Sequence, residues 1–490
     1  MSRRRGSVVV VVVWAIAIAS VLVAATQIVS FRQAVVGRES LARVQARWAA
    51  RAGVEQMIAT MEYHTLNPDP DDPMAVVRDM EDHALGETET GTWDIHHSLD
   101  GQDWAGPMDE AAKLNLNTAT RAQLLNIPHM TPDVVDAIMD WRDADDEVQG
   151  MGAEKDYYAN RSMGYRPRNG PFKSFREVEL VAGAWPEYVR GEDWNLNGRL
   201  DPNEDDGPRT FPDDKPDGKL DAGWSQYLTA YSVQSPNALS GEPKLALKSA
   251  TQEDLIARTG VDEAQARALG EYGRTSGARP ENLLITPLSQ TAGARSASSS
   301  GSQGGSSGGR SSGGGMSSGG SKDSSSSGGS KSGGSSGGAS GATSGRSSAG
   351  RGNATSTPAV KDLNDQQLRA VLRETTADDF SKPVPGRINI NTASADLLKN
   401  VLDIDARVAD TIVARRRAKR EGITSLVDLM GLSGLNSAAL GQIATQFDVT
   451  SSVYTVTSRG RAASTGVEVE IEAVVDRSVV PARILSYREQ

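Results

Sequence analysis

Between Arg5 and Arg32 the chain carries no charged residue, and the stretch from Val8 to Val29 is predominantly apolar. That run exceeds the ~20 residues a membrane-crossing helix needs. Three arginines precede it, which predicts a cytoplasmic N-terminus and an ectodomain on the far side. A secretory signal also begins with basic residues, but its apolar core is typically only ~7–15 residues long. Val23-Ala24-Ala25 offers a small-residue cleavage site for that reading, and a plain signal anchor fits the same hydropathy. The helical pattern, however, does not stop at the membrane. From Arg32 to Met61 there is no proline, and glycine occurs only at Gly37 and Gly53. Leu41, Val44, Trp48 and Ala52 fall at helical spacing, and Val54, Met57, Ile58 and Met61 continue the stripe. One long helix is predicted from Ser7 to about Met61, half in lipid and half amphipathic.

Downstream, alternation around Thr92–His96 predicts a strand, with His96 and His97 on opposite faces as surface residues. Val453–Thr457 and Val467–Val475 also alternate, predicting a hairpin with one charged, solvated face. Three stretches resemble one another: Lys113–Thr120, Lys244–Thr251 and Arg387–Ser394. Each has a basic residue, two aliphatics at alternate positions, then hydroxyl residue, Ala, hydroxyl residue. The last of these reads as a helix cap. A leucine follows (Leu124, Leu255, Leu398), then a short helix, a turn and a second helix carrying Ile138, Leu269 or Ile412. This is a helix-hairpin-helix outline, repeated three times and decayed in the middle copy. Residues 289–357 are almost entirely Ser and Gly and cannot build a core. Such a tract either frees the last segment or is a large loop in a continuous fold.

A net charge of −11 argues against a general polyanion binder. The absence of cysteine leaves no disulfide and does not decide the compartment. The first hairpin unit sets Lys113, Arg121 and Arg142 against seven acidic residues between 113 and 147. Its turn carries His129, and the third carries Asp403, where a phosphate-binding turn favours glycine. Only Gly260, in the middle copy, keeps that residue. Structural use of the hairpins is therefore expected, with the Arg415–Arg420 cluster either a solvated face or a contact for phosphate or protein. No nucleophile elbow, phosphate loop, metalloprotease motif or other catalytic arrangement is present, so no enzyme is expected.

The strongest local motif is Asp193–Glu204. It fits a calcium loop, D-x-[DN]-x-[DN]-G with an acidic twelfth position. Asp193, Asn195 and Asn197 would supply side-chain oxygens, Arg199 a carbonyl and Asp201 a direct or water-mediated contact. Glu204 would close the shell, Gly198 would permit the turn and Leu200 would pack inward. A degraded copy follows at Asp213–Asp221, with Lys215 at a ligand position and Trp224 where the closing carboxylate belongs.

Several stretches together resemble the K-type minor pseudopilin family of type II secretion (general secretion pathway protein K). Arg5-Gly6 before the apolar stem is similar to a prepilin leader, and Gln45–Glu55 is similar to the family's stem. The Asp-rich start at Asp143, Tyr157-Tyr158, Arg166-Pro167 to Phe172 and the helix Phe175–Val181 resemble its inserted helical domain. The resemblance runs from the leader to about Gln234, and again from Gly386 to the C-terminus. It implies cleavage by prepilin peptidase after Gly6, leaving Ser7 first. Most pseudopilins carry Glu at the fifth mature position, here Val11, a departure this family shares and one that goes with its place at the filament tip. A buried carboxylate there is costly unless paired.

The resemblance further implies I- and J-type minor pseudopilins, the major pseudopilin and the inner-membrane assembly platform as partners. It also implies paired calcium sites, which keeps Asp213, Asp217 and Asp221 as candidate ligands for a second Ca2+. The expected fold is α+β: a leader at 1–6, a transmembrane helix at 7–31 and a stem at 32–62. A first part of a pilin-like antiparallel sheet follows at 63–112. The inserted helical domain spans 113–234 and a degenerate hairpin repeat 235–288. Beyond a disordered linker at 289–357, the last repeat and pilin-like strands occupy 358–490. The expected location is the inner membrane, single-pass, with a periplasmic ectodomain. Two other classes fit parts of the chain: a membrane-anchored helix-hairpin-helix protein of DNA uptake, and a signal-anchored, calcium-stabilised adhesin.

Overall fold

The computed structural model describes residues 6–161, 164–291 and 360–490, with side chains from Val8 onward. The first five leader residues and nearly all of the Ser/Gly tract lie outside these described residues.

A single helix, α1, runs Gly6–Leu66. Its first half is apolar and fully exposed, long enough to cross a membrane. Its second half lies on an antiparallel sheet of order β1–β2–β11–β12–β13 (Leu85–Thr88, Gly91–Leu99, Val453–Ala462, Glu468–Asp476, Arg483–Glu489). Strand β2 pairs with β11, Ser458 opposite Ile95, so the two ends of the chain close one sheet. Val54, Met57 and Met61 of α1 meet Ile95, Val456, Ile471, Ala473 and Val475 in its core.

The stripe that faces this sheet differs from the expected one. Leu41, Val44 and Trp48 are exposed, and Ala42, Ala46, Ala49 and Ala50 are buried instead. The reason is close approach. Gly460 on β11 sits so near the helix that a Cβ there would strike the Ala46 carbonyl and the Ala50 backbone. Only small residues fit such a contact, and the larger apolar residues are turned outward.

A second correction concerns the charged face of the C-terminal hairpin. Glu470 and Glu472 are buried, not solvated. Alternation told correctly which side chains share a face, but the inserted domain covers that face. His97 also departs from expectation: it is half-buried and hydrogen-bonded to the Gly106 carbonyl at 2.9 Å. Burial lowers its pKa to about 4.

Between β2 and β11 lie three hairpin units sharing one continuous core. Each opens and closes with a two-residue parallel strand pair. These pairs are β5 with β6 (Leu114–Asn115, Leu228–Thr229), β7 with β8 (Leu245–Ala246, Thr375–Thr376) and β9 with β10 (Ile388–Asn389, Phe447–Asp448). The matching apolar positions Leu124, Leu255, Leu398, Ile138, Leu269 and Ile412 are all buried. The hydroxyl residues cap as their pattern demands: Thr120 accepts from Gln123 N, Thr251 from Asp254 N and Ser394 from Leu397 N.

The middle unit does not end at 288. After the Ser/Gly tract, the helix Asp365–Glu374 packs back on helix Gln252–Thr259, and β8 completes the unit. Arg258 pairs with Glu374, and Gln367 donates to the Gly260 carbonyl. The tract thus falls in sequence between two segments of one unit.

Candidate metal centre

Helix Pro186–Arg190 ends at Gly191, and the loop Asp193–Glu204 follows. Its turn is made by Leu196 at φ +56° and Gly198 at φ +71°. The Asp193 carboxylate accepts from Asn197 N and Gly198 N, each at 2.9 Å. Glu204 accepts from Trp194 N and Asp201 N, each at 3.1 Å. The amides of Asn195 and Asn197 both donate to one oxygen of Asp201, at 3.0 Å. Asp193, Asn195, Asn197, Asp201 and Glu204 are therefore gathered in one folded loop.

Asp193 and Glu204 are buried, and burial is the main reason their pKa values rise, to about 6 and about 8. Repulsion from Asp193 adds to the rise at Glu204. Of the arginines nearby, Arg199 binds Asp94 outside the loop, and Arg459 binds Asp201 within it together with Glu470, so neither pairs with Asp193 or Glu204. Two buried carboxylates held only by backbone amides, beside further amide and carboxylate oxygens, fit a hard cation. Arg199 itself is buried by that ion pair. Leu196, rather than Leu200, packs against the main core.

The loop is pinned to the sheet. Asn197 donates to Glu470 at 3.0 Å, Thr457 donates to the Asn197 carbonyl at 3.0 Å, and Ser98 N donates to the Gly198 carbonyl at 2.7 Å.

In the degraded copy, Asp213, Asp217 and Asp221 are exposed. Asp217 and Asp221 accept from the nearby amides of Lys219 and Gly223. The inward groups are others. Glu192 accepts from Lys215 N and Asp221 N, Asp205 accepts from Gly218 N, and Asp214 accepts from Gly207 N. Glu192 was hidden in the sequence by its place immediately before the stronger motif.

The hairpin turns take the left-handed conformation in all three units: His129 at φ +62°, Gly260 at +67° and Asp403 at +53°. Behind them is a device that no local motif announces. Arg142 donates to the carbonyls of Leu116 and Ala119, and Arg416 to those of Ile390 and Ala393. Burial lowers the pKa of Arg416 to about 10. Asn117 and Asn391 match in the same way, clamping the backbones of Phe172 and Ile423. The equal spacing of each arginine from its aliphatic partner was the available signal.

Residues 108–191 match the family model of type II secretion system (T2SS), protein K. Over that segment the chain is similar to protein K of type II secretion. Residues 386–448 match the helix-hairpin-helix motif. No curated protein matches the chain. Among solved structures, the GspK-GspI-GspJ complex from the enterotoxigenic Escherichia coli Type 2 Secretion System contains a similar chain. The identity is 11% and the TM-score 0.40, over 93% of this chain and 99% of that one. The protein K match runs from the end of the first sheet segment through the first hairpin unit as far as helix Pro186–Arg190.

Proposed function

We propose that this chain works as the K-type minor pseudopilin of a type II secretion system. The single observation that carries the reading is a protein K domain inserted into a sheet whose other face rests on a membrane-length helix. In this reading the apolar half of α1 anchors the subunit in the inner membrane, with the ectodomain in the periplasm. Prepilin peptidase cuts after Gly6, and Ser7 becomes the first residue. I- and J-type minor pseudopilins, the major pseudopilin and the assembly platform are the partners. Leu41, Val44 and Trp48, exposed on the stem, are available to neighbouring stems. Val11 puts no carboxylate into the lipid, so a neighbour's N-terminal amine finds no partner there. The three units mass above the sheet and would end growth of the filament on that side, making this subunit the tip rather than a repeating one.

Calcium would be held by Asp193, Asn195, Asn197, Asp201, Glu204 and the Arg199 carbonyl. It would neutralise the buried carboxylates and so fasten the insert to β11 and β12. A second ion at Asp213, Asp217 and Asp221 rests on family resemblance alone.

The test is the N-terminus of the mature protein, by intact mass, with and without the peptidase. Maturation to Ser7 only when the peptidase is present supports the proposal. A start at Met1 or near Thr26 in both strains removes it. The hairpin match keeps a nucleic-acid reading in play, and salt-sensitive DNA binding by the purified protein would favour that alternative.

A further inference from the structure

The run of basic residues that closes the second helix of the third unit has no part in the function proposed above. Between Ala406 and Gly422, six basic residues stand against Asp410 and Glu421, in a chain whose net charge is −11. Arg416 turns inward to the carbonyls of Ile390 and Ala393. Arg415, Arg417, Lys419 and Arg420 are exposed. Lys419 meets Glu421 at 3.7 Å. Among the described residues, the guanidinium groups of Arg415, Arg417 and Arg420 have neither an ion pair nor a hydrogen bond.

Their backbone, by contrast, is fixed. The inward Arg416 anchors the end of helix Ala406–Arg417. Arg78 donates to the Arg420 carbonyl at 2.7 Å, and Asn391 accepts from Ile423 N at 2.8 Å. Gly422 sits so close to Asn391 and Met74 that a Cβ there would crowd both. Three unpaired cations are thus held out from a seam between the third unit and the short helix Ala75–Asp82. All three are arginines, whose guanidinium is less strongly hydrated than an ammonium and forks onto a carboxylate with two hydrogen bonds. Arginine is enriched in protein interfaces, where lysine is depleted.

Two other anions fit the site poorly. A hairpin takes a phosphate at its turn and at the N-terminus of its second helix. Here the Asp405 carboxylate already accepts from Arg407 N at 2.9 Å and Val408 N at 3.3 Å, and Asp403 occupies the turn itself. The exposed arginines stand at the opposite end of that helix, about 17 Å along it. The two halves of a hairpin–phosphate contact are therefore apart, and the turn half carries the wrong sign. A lipid surface is out of reach. His64, near the end of α1, pairs at 3.0 Å with Asp79, which shares a short helix with Arg78. The cluster therefore lies beside that end of α1, about 50 Å along the helix from Phe31, where the uncharged run stops.

We propose that Arg415, Arg417 and Arg420 form a docking surface for an acidic protein, whose carboxylates pair with the three guanidinium groups. Docking there breaks no existing ion pair of these arginines and finds their backbone already positioned, so the ordering cost is confined to side chains. The surface is separate from the exposed apolar residues of the stem, Leu41, Val44 and Trp48.

The test uses the full-length chain in a non-ionic detergent and measures binding of two fluorescent probes, a short poly-L-glutamate and a DNA duplex of matched charge. A chain of net −11 repels both except at a local basic surface. The unaltered protein should bind poly-L-glutamate more tightly than the duplex, and less tightly as salt is raised. The triple substitution Arg415→Gln, Arg417→Gln, Arg420→Gln should weaken that binding by about tenfold or more. Arg43→Gln with Arg51→Gln, which alters exposed stem arginines already paired with Glu39 and Glu55, should leave it unchanged. An unaltered melting temperature shows that the triple variant has lost a contact and not its fold. If it fails to fold, Arg415→Gln with Arg417→Gln takes its place and should lose severalfold. Absence of binding, or equal binding by the folded variants, overturns the proposal. Tighter binding of the duplex overturns it in favour of nucleic acid. Self-association that the triple variant abolishes overturns it in favour of a second copy. Maturation at Ser7 does not depend on these residues, so failure here is distinguishable from failure of the function proposed above.

Discussion

The outer two hairpin units and the middle one solve the same packing problem differently. In the first and third, an arginine on the second helix reaches back to two carbonyls of the opening strand and cap, Arg142 to Leu116 and Ala119, Arg416 to Ile390 and Ala393. In the middle unit the corresponding place is Gly273, and the backbone itself fills the gap: a Cβ there would stand 2.5 Å from the Leu247 carbonyl. The difference shows what the arginines are for. They satisfy carbonyls that the short strands leave unpaired, and where the helix moves in to close the gap, the arginine is absent. Arg416 therefore belongs to the interior, although it sits within a run of basic residues.

The largest expected effect tests that division. Arg416→Ala should destabilise the protein by about 2–3 kcal/mol, since two inward carbonyls lose a charged donor. Arg415→Ala and Arg417→Ala, altering exposed neighbours, should each stay within about 0.5 kcal/mol. Urea unfolding of the three variants measures this directly, and equal losses would break the comparison. Next in size, Gly273→Ala should cost about 2 kcal/mol through overpacking against Leu247. A neutral result in the same assay would mean that the middle unit does not depend on the close approach. Smallest are the turns. Asp403→Gly should stabilise by about 0.5–1 kcal/mol, because glycine adopts positive φ without a Cβ penalty. His129→Gly should gain less, since it removes a ring stacked on Tyr188 at 5.3 Å. Thermal melts of the pair would separate turn strain from stacking.

Much of this fold was legible because its periodicities are local. The long helix, the strands near Thr92 and Val453, and the threefold spacing of cap and leucine each depend on residues within a dozen positions. What escaped depended on distant partners. The outward turn of Leu41, Val44 and Trp48 follows from Gly460, more than four hundred residues away. The burial of Glu470 follows from Asn197 and Arg459 meeting it across the docked loop. The Asp193 loop was readable because its oxygen-bearing side chains stand at fixed intervals in the sequence. Glu192 and Asp214 were legible as acidic residues but not as inward-facing ones.

The position of the Ser/Gly tract inside the middle unit has one more consequence. On its near side Ser289 N donates to Asp362 at 2.9 Å, and Gln265 reaches the Asp362 carbonyl at 3.1 Å. The two banks are thus fastened to each other independently of whatever lies between them. Because the entropic cost of joining two fixed points rises only slowly with the number of residues between them, this point can gain or lose sequence with little effect on the unit. Evolution has there a free site for insertion, and an experimenter has a place to put a fluorophore or an affinity tag without altering the residues that join the two flanks.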